Sequence, residues 1–465
     1  MNITQRIKRS TLLCAALAVM STMGTGCGNW IDPGLNVDPN NPPDVTMNLL
    51  LPTVEVGLGY AAGGDLSRFA GLAVRQYAGT DRQFSSFELY QYVESDFTAL
   101  WANMYAGQAG GGLNGGALIN AAIMMQKAND LKSPHYRGVG RVLTALALGL
   151  STDTWGDIPY SEALRGVDNL APKYDSQQTI YTTIQNLLDS AIIDLSASSS
   201  NFRPGADDII YGGDRNAWIK AAKTLKARYW LHLTKVDNTA ASKALAALSG
   251  GIASNNDNMM LTFGSAVTAN SPLYQFLQQR SGYLSMGAQI VKMMNDLNDP
   301  RRAAFIELDG DGKYSENSTP GPLYGSDASA VPLVTYAEAK FIEAEAQLRA
   351  GKTAEAKTAY TAAINASMAH AGVSSDNAKA YLAQSKVMPA GDLTLQTIIE
   401  QKYIALFSQP EAWTDWRRTG FPAVQSTTGV PSQIPRRLLY PQSERNYNPN
   451  TPTGVNLTTR LWWDK

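Results

Sequence analysis

YAEAKFIEAEAQLRAGKTAEAKTAYTAAINASM, residues 336–368, divides at Gly351 into two stretches whose apolar residues recur every three or four positions. That spacing predicts a pair of amphipathic helices. In the second stretch small Ala356 is followed four residues on by bulky Tyr360, and then by Ala363. Large and small side chains alternating on one face let two helices interlock closely. A fold built from such pairs is α-helical.

The alternation is the one used by tetratricopeptide helix pairs, and WIKAAKTLKARYWLHL at 218–233 has a similar look. Outward from these segments, helical spacing recurs over 49–61, 66–78, 95–132, 136–150, 177–197, 215–235, 240–249, 335–349, 353–370 and 394–408. Strand-like alternation is scarce, so the expected class is mainly all-α. The repeat period is irregular, which predicts helix pairs interrupted by long loops at 79–94, 151–175, 199–214, 250–283, 298–334 and 409–465. Loops of this length are functional or disordered, and the Trp, Tyr and Phe in these argue against disorder. No linker divides residues 47–465, which are expected to form a single domain.

The N-terminus differs. MNITQRIKRS carries Arg6, Lys8 and Arg9 without an acid, and the apolar run TLLCAALAVM follows. Roughly ten apolar residues are half of a membrane span and read as a signal peptide. Small residues then lead to Cys27 in MGTGCGNW, which resembles a lipobox, although Gly24 stands where a branched aliphatic residue is usual. The expected organisation is a lipoprotein signal peptide at 1–26, a Gly/Pro/Asn-rich lipid-anchored tether at 27–46, and the helical body. Two or more acyl chains on Cys27, at about 0.8 kcal/mol per buried CH2, hold a protein on a membrane without a spanning helix.

A net charge of −1 with 17% charged residues excludes a strongly basic nucleic-acid footprint. Three histidines and two cysteines are too few for the usual multi-ligand metal sites. GGGLNG at 110–115 matches a dinucleotide fingerprint, but no strand precedes it. AQLRAGKT at 346–353 lacks the first glycine of a phosphate loop. DGDGKYSE at 309–316 places Lys313 and Tyr314 at positions that a helix–loop–helix calcium hand cannot use, leaving only a looser calcium site at Asp309 and Asp311 open. His135, His232 and His370 are scattered, and His232 reads as a packed helix residue. TDTWGDIPYSEAL, 152–164, concentrates Asp153, Asp157 and Glu162 beside Trp155 and Tyr160. Gly156 and Pro159 break any helix that would align the two aspartates, so the carboxylates read as turn and cap acceptors and the aromatics as anchors. In EAWTDWRRTG, 411–420, Trp413 and Trp416 are expected to pack inward and Arg417 to pair with a buried carboxylate.

TDTWGDIPYSEAL, continued by APKYDSQQTIYTTIQNLLDSAI (171–192), GGDRNAWIKAAKTLKARYWLHL (212–233) and LNDPRR (297–302), resembles the SusD/RagB family of outer-membrane nutrient-binding lipoproteins. The likeness runs on through TYAEAKFIEAEAQLRAG (335–351), IIEQKYIALFSQPEAWTDWRRTGFP (398–422), IPRRLLYPQSERNYN (434–448) and RLWWDK (460–465). The motifs follow the family's order over essentially the whole mature chain. The glycine cluster at 107–116 departs from it, since relatives carry an uninterrupted helix there. The resemblance implies a SusD-like helical fold and a SusC-like TonB-dependent outer-membrane transporter as partner. It also implies capture of an oligosaccharide or peptide without covalent chemistry or a cofactor.

For ligand contact, loop aromatics and hydrogen-bonding groups are the candidates, because sugar rings stack on flat side chains. By position these are Tyr77, Arg82, Phe84, Tyr90, Tyr274, Tyr283, Tyr314 and Tyr324. Two alternatives to a nutrient-binding lipoprotein stand beside it: a surface glycosidase, and a helical-repeat adaptor that binds only proteins.

Overall fold

The computed structural model describes residues 45–106, 116–430 and 433–465. The expected signal peptide, Cys27, nearly all of the tether and GGGLNG lie outside the described residues. Met47–Lys465 form one compact unit. Its longer helices are α1 (Met47–Gly63), α2 (Asp65–Ala73), α3 (Ala117–Asp130), α4 (Pro134–Trp155), α5 (Gln177–Leu195), α6 (Arg215–His232) and α7 (Ala240–Leu248). They continue with α8 (Pro272–Gln279), α9 (Ala288–Asp296), α10 (Tyr336–Arg349), α11 (Thr353–His370), α12 (Ser375–Leu382), α13 (Leu395–Ala405) and α14 (Glu411–Thr419).

Helices pack in series, all but one step between chain neighbours. α3 lies on α4, α4 on α5, α5 on α6, α6 on α7, α7 on α10 and α10 on α11. Local chemistry starts several of them. The Asp214 carboxylate caps α6 by accepting from the amides of Asn216 and Ala217, and Pro134 opens α4 at its first turn. At the α10–α11 pair Ala356, Tyr360 and Ala363 are buried with Phe341 and Ile364. The Tyr360 ring meets Phe341 edge-on at 6.2 Å, and its hydroxyl donates to the Val387 carbonyl at 2.7 Å. The small/large alternation is therefore the interlock of this pair.

Between α4 and α6 the fit depends on one missing side chain. A Cβ on Gly149 would stand 2.0 Å from the Tyr229 hydroxyl, and Tyr229 is itself buried. Gly149→Val is predicted to cost about 3 kcal/mol, within the range for overpacking a filled core. A urea midpoint matching the parent protein's would refute this contact.

Several expected loops carry structure. Residues 66–78 were expected as helix, but α2 ends at Ala73 and Tyr77–Gly79 form strand β1. This strand pairs antiparallel with β3 (Leu284–Met286), Tyr77 opposite Met286. β2 (Met259–Leu261) pairs with β4 (Val331–Val334) across an irregularity at Met259/Met260. The stretch 95–132 is also divided, into a turn at Glu94–Phe97, a short helix Thr98–Met104, and α3. α8 and α14 fall in stretches expected as loop. At eight and nine residues they are too short to stand alone in water, and tertiary contacts hold them.

Candidate functional site

The β1–β3 pair ties the stretch after α2 to the stretch after α8. Beyond it the Thr80 amide donates to the Tyr283 carbonyl at 3.0 Å, and the Thr80 hydroxyl donates to the Gly282 carbonyl at 2.6 Å. This brings the short helix Arg82–Glu88 over the turn that follows α8. A Cβ on Gly79 would lie 1.9 Å from the Phe84 carbonyl oxygen, so only glycine permits that close fold-back. The Glu88 carboxylate secures it by accepting from the Gly79 amide at 2.8 Å and pairing with Arg75.

Between α2, helix 82–88 and α8 lies a groove of about 450 Å³, a volume suited to a small ligand. Its floor is aromatic. Phe84 meets Phe276 at 5.0 Å and Tyr283 at 6.2 Å between ring centroids. The Arg68 guanidinium lies 4.1 Å over the Phe276 ring and pairs with Asp65. Burial pushes Arg68 down from its ordinary pKa, and Asp65 opposes that fall. Tyr283 has the Arg82 and Arg280 guanidiniums within 6.0 and 5.7 Å of its centroid. The rim carries Gln83, Asn103, Gln275 and Gln279. Gln275 is occupied, donating to the Tyr60 hydroxyl and the Asn270 carbonyl. The site thus offers apolar aromatic surface ringed by amides, guanidiniums and the carboxylates of Asp65 and Asp96. A hollow of similar size, about 400 Å³, lies between α9 and α13 but is lined by Asp296, Lys386 and Glu400 without an aromatic ring.

Of the residues singled out from sequence, Phe84 alone lines this groove, while Tyr283 packs behind it against Phe84 and Arg82 stands 6.0 Å from the Tyr283 ring. Tyr274 sits on α8 beside it, half-buried. Tyr90 lines a separate hollow, and half-buried Tyr314 has the Arg302 guanidinium 5.4 Å from its ring. Tyr77 and Tyr324 are buried around Phe407, with the Tyr77 hydroxyl donating to Ser408 Oγ at 2.7 Å. Neither presents a ring to solvent. Sequence reading missed Arg68, Gln275, Phe276 and Arg280. The signal that marks α8 is Ser271-Pro272, a helix start with proline in the first turn.

The carboxylate-rich motif lies elsewhere, running from buried Asp153 and Trp155 out to exposed Asp157 and half-buried Glu162. Trp155 ends α4, fully buried, and its indole donates to the Leu439 carbonyl at 3.0 Å. Asp157 accepts from the Gln177 amide at the start of α5, as expected of a cap, and Glu162 pairs with Lys173 at 3.2 Å. Asp153 is no turn acceptor. It accepts from the Tyr181 hydroxyl at 2.5 Å and the Trp463 indole at 3.0 Å, and lies 3.3 Å from His232 Nδ1. His232 Nε2 faces Glu411 at 2.7 Å. Arg417 also departs from expectation. Its guanidinium lies 3.8 Å over Trp413 and donates to the Asp153 and Arg436 carbonyls, whereas the neighbouring Arg418 makes the carboxylate pairs. Stretches distant in the chain (152–164, 215–233, 411–418 and 436–464) therefore converge on one interior hub. Asp153 lies in that hub, whereas exposed Asp157 serves the start of α5, so the two do not form an acid–base pair. At 309–316, Asp309 accepts from the amides of Asp311 and Lys313 and from the Ser315 hydroxyl. Among the described residues no group of three His, Cys, Asp or Glu is placed to hold a metal.

Burial alone would lower the His232 pKa. Glu411 and Asp153 more than offset it and raise it to about 9. A histidine raised from 6.5 stabilises the fold fully below pH 6.5 and loses that contribution as pH rises through 9. The predicted loss between pH 6 and pH 10 is on the order of 3 kcal/mol, absent in His232→Phe. Equal pH slopes for parent and variant in urea titrations would exclude a charged His232.

Fold and groove together define a class: a helical-repeat protein whose inserted segments build a ligand-sized groove. The chain belongs to the SusD-like family, described as starch-binding and associating with the outer membrane, whose model matches residues 39–441. A SusD/RagB family protein from Bacteroides thetaiotaomicron superposes with a TM-score of 0.77 at 23% identity, covering 90% of this chain and 99% of its own. A SusD homolog from Bacteroides fragilis does so at 0.74 and 23%, over 91% and 100%. A chitin-binding SusD homolog from Flavobacterium johnsoniae gives 0.66 and 23%, over 90% and 96%. These likenesses show the fold. No curated protein matches the sequence significantly.

Proposed function

We propose that the chain is a non-catalytic, lipid-anchored subunit that captures an oligosaccharide at the cell surface and delivers it to a SusC-like TonB-dependent transporter. The observation that carries the ligand class is the floor of Phe84 and Phe276 ringed by Arg68, Arg280 and side-chain amides. Apolar C–H faces of a sugar stack on such a floor, and its hydroxyls meet the rim. Membership in a family described as starch-binding, and likeness to a chitin-binding homolog, support a glycan over a peptide. The outer-membrane association of that family supports the anchor at Cys27 and the transporter partner.

The test is isolation of the full-length protein from its own membranes. A diacylated or triacylated Cys27 and a co-purifying outer-membrane barrel are expected. An unmodified Cys27 thiol on a soluble monomer would contradict the anchor and the partner together.

A further inference from the structure

The hollow of about 400 Å³ between α9 and α13 opens onto a side chain that the fold holds in one orientation. Gln401 lines it while only 3% exposed. Its Oε1 accepts from the Tyr381 hydroxyl at 3.0 Å and from the Arg301 guanidinium at 3.4 Å. A guanidinium can only donate, so the amide oxygen faces inward and Nε2 faces the other way. Arg301 is fully buried and paired with Asp299 at 2.6 Å, which fixes that arrangement. Nε2 makes no hydrogen bond among the described residues, yet it is not one of the sealed, unpaired atoms of the interior. It keeps surface, and the hollow is the opening that Gln401 lines. A donor left unused on a buried side chain is costly unless something meets it.

Two charged groups share the hollow, and among the described residues neither has an ion partner. Lys386 is exposed and makes no ion pair, and the nearby Asp296 carboxylate is held by Lys292. Glu400 is half-buried, accepts from the Gln396 amide at 2.8 Å and meets no cation. Met293, Leu297 and Pro422 add apolar lining. We infer that this hollow binds a short peptide with free termini, of dipeptide size. The peptide's carboxylate lies against Lys386 and its ammonium against Glu400. Its carbonyl accepts from Gln401 Nε2, and an apolar side chain rests on Met293 and Leu297. A sugar would find no ring to stack on and would leave both charges without a counter-charge. A dicarboxylate would meet Glu400 as a like charge, and a diamine would meet Lys386 as one. The site shares no lining residue with the groove.

Calorimetric titration of the full chain with alanyl-leucine tests the inference, alongside the same dipeptide acetylated at its amine or amidated at its carboxyl. Each blocked form should bind roughly tenfold more weakly, the worth of one charge-assisted hydrogen bond. In Glu400→Gln acetylation should cost nothing further, and in Lys386→Met amidation should cost nothing further, because each variant has already lost that contact. Neither residue holds another ion, so both variants should fold as the parent does. Phe276→Ala should leave the dipeptide titration unchanged; a loss there would put the peptide in the groove and overturn the second site. No saturable heat from alanyl-leucine, or the same penalty for blocking in parent and variants, would also overturn it. Either result leaves oligosaccharide binding at the groove to its own test.

Discussion

Arg418→Met is expected to destabilise the protein by about 3–5 kcal/mol, the cost of leaving buried carboxylates without their partner. Arg418 is fully buried and donates to both oxygens of Glu345 at 2.5 Å. It also reaches Asp415 at 2.6 Å. Lys402 meets Asp415 at 2.7 Å, and Arg349 meets Glu345 at 2.8 Å. The cluster ties α10, α13 and α14 together, so its loss loosens the helix pairs from the C-terminal hub. Single domains have only about 5–15 kcal/mol in total, which makes this a large fraction. Burial alone would raise the Glu345 carboxyl. Arg418, aided by Arg349 and Lys402, overrides that and holds it at about 2. A carboxyl lowered from 4.5 stabilises the fold above pH 4.5 and loses that contribution as pH falls toward 2. Parent stability should therefore drop steeply in that window, and the Arg418→Met variant should show a shallower limb. The double variant Glu345→Leu/Arg418→Met should regain part of the loss, because paired charges replaced together cost less than one left behind. An acid limb of equal slope in parent and variant, by denaturant titration, would exclude the pairing as its source.

Phe276→Ala is expected to weaken oligosaccharide binding by at least ~30-fold, as for a central aromatic contact worth 2 kcal/mol or more. The ring lies under the Arg68 guanidinium and against Phe84, so truncation removes both a stacking face and the packing that orients the floor. Tyr447, the most exposed tyrosine at 80%, lies on the short helix Gln442–Tyr447 away from the groove lining and serves as control. Tyr447→Ala should leave affinity unchanged. Equal losses in the two variants would mean that any exposed aromatic suffices and that the groove has no special role.

The helical scaffold is legible because its signals are local. Ala356 and Tyr360 stand four apart on one helix, and that spacing alone predicts the packed face. The site is less legible because it depends on chain segments far apart in sequence. Tyr77, Phe84 and Tyr324 look alike as loop aromatics, yet Tyr77 and Tyr324 fold into the core around Phe407, while Phe84 reaches the groove wall. Contacts between segments far apart in the chain decide which goes where. Phe276 escaped notice because an eight-residue helix inside a long irregular stretch gives too few turns for periodicity to register. The same limit explains Arg417 and Arg418. Arg417 was legible as an arginine near a buried carboxylate, but that Arg418 is the one that meets it depends on α10, some seventy residues upstream.

The central claim is that the groove binds a glycan and leaves it whole. Wild-type protein titrated with chitobiose, chitohexaose, maltose and maltoheptaose, followed by chromatography of the recovered sugar, tests that claim most directly. The account predicts saturable binding of at least one series, full recovery of the intact sugar after prolonged incubation, and loss of the binding heat in Phe276→Ala. Shortened sugars that accumulate with time and protein concentration, or saturable binding untouched by Phe276→Ala, would contradict it.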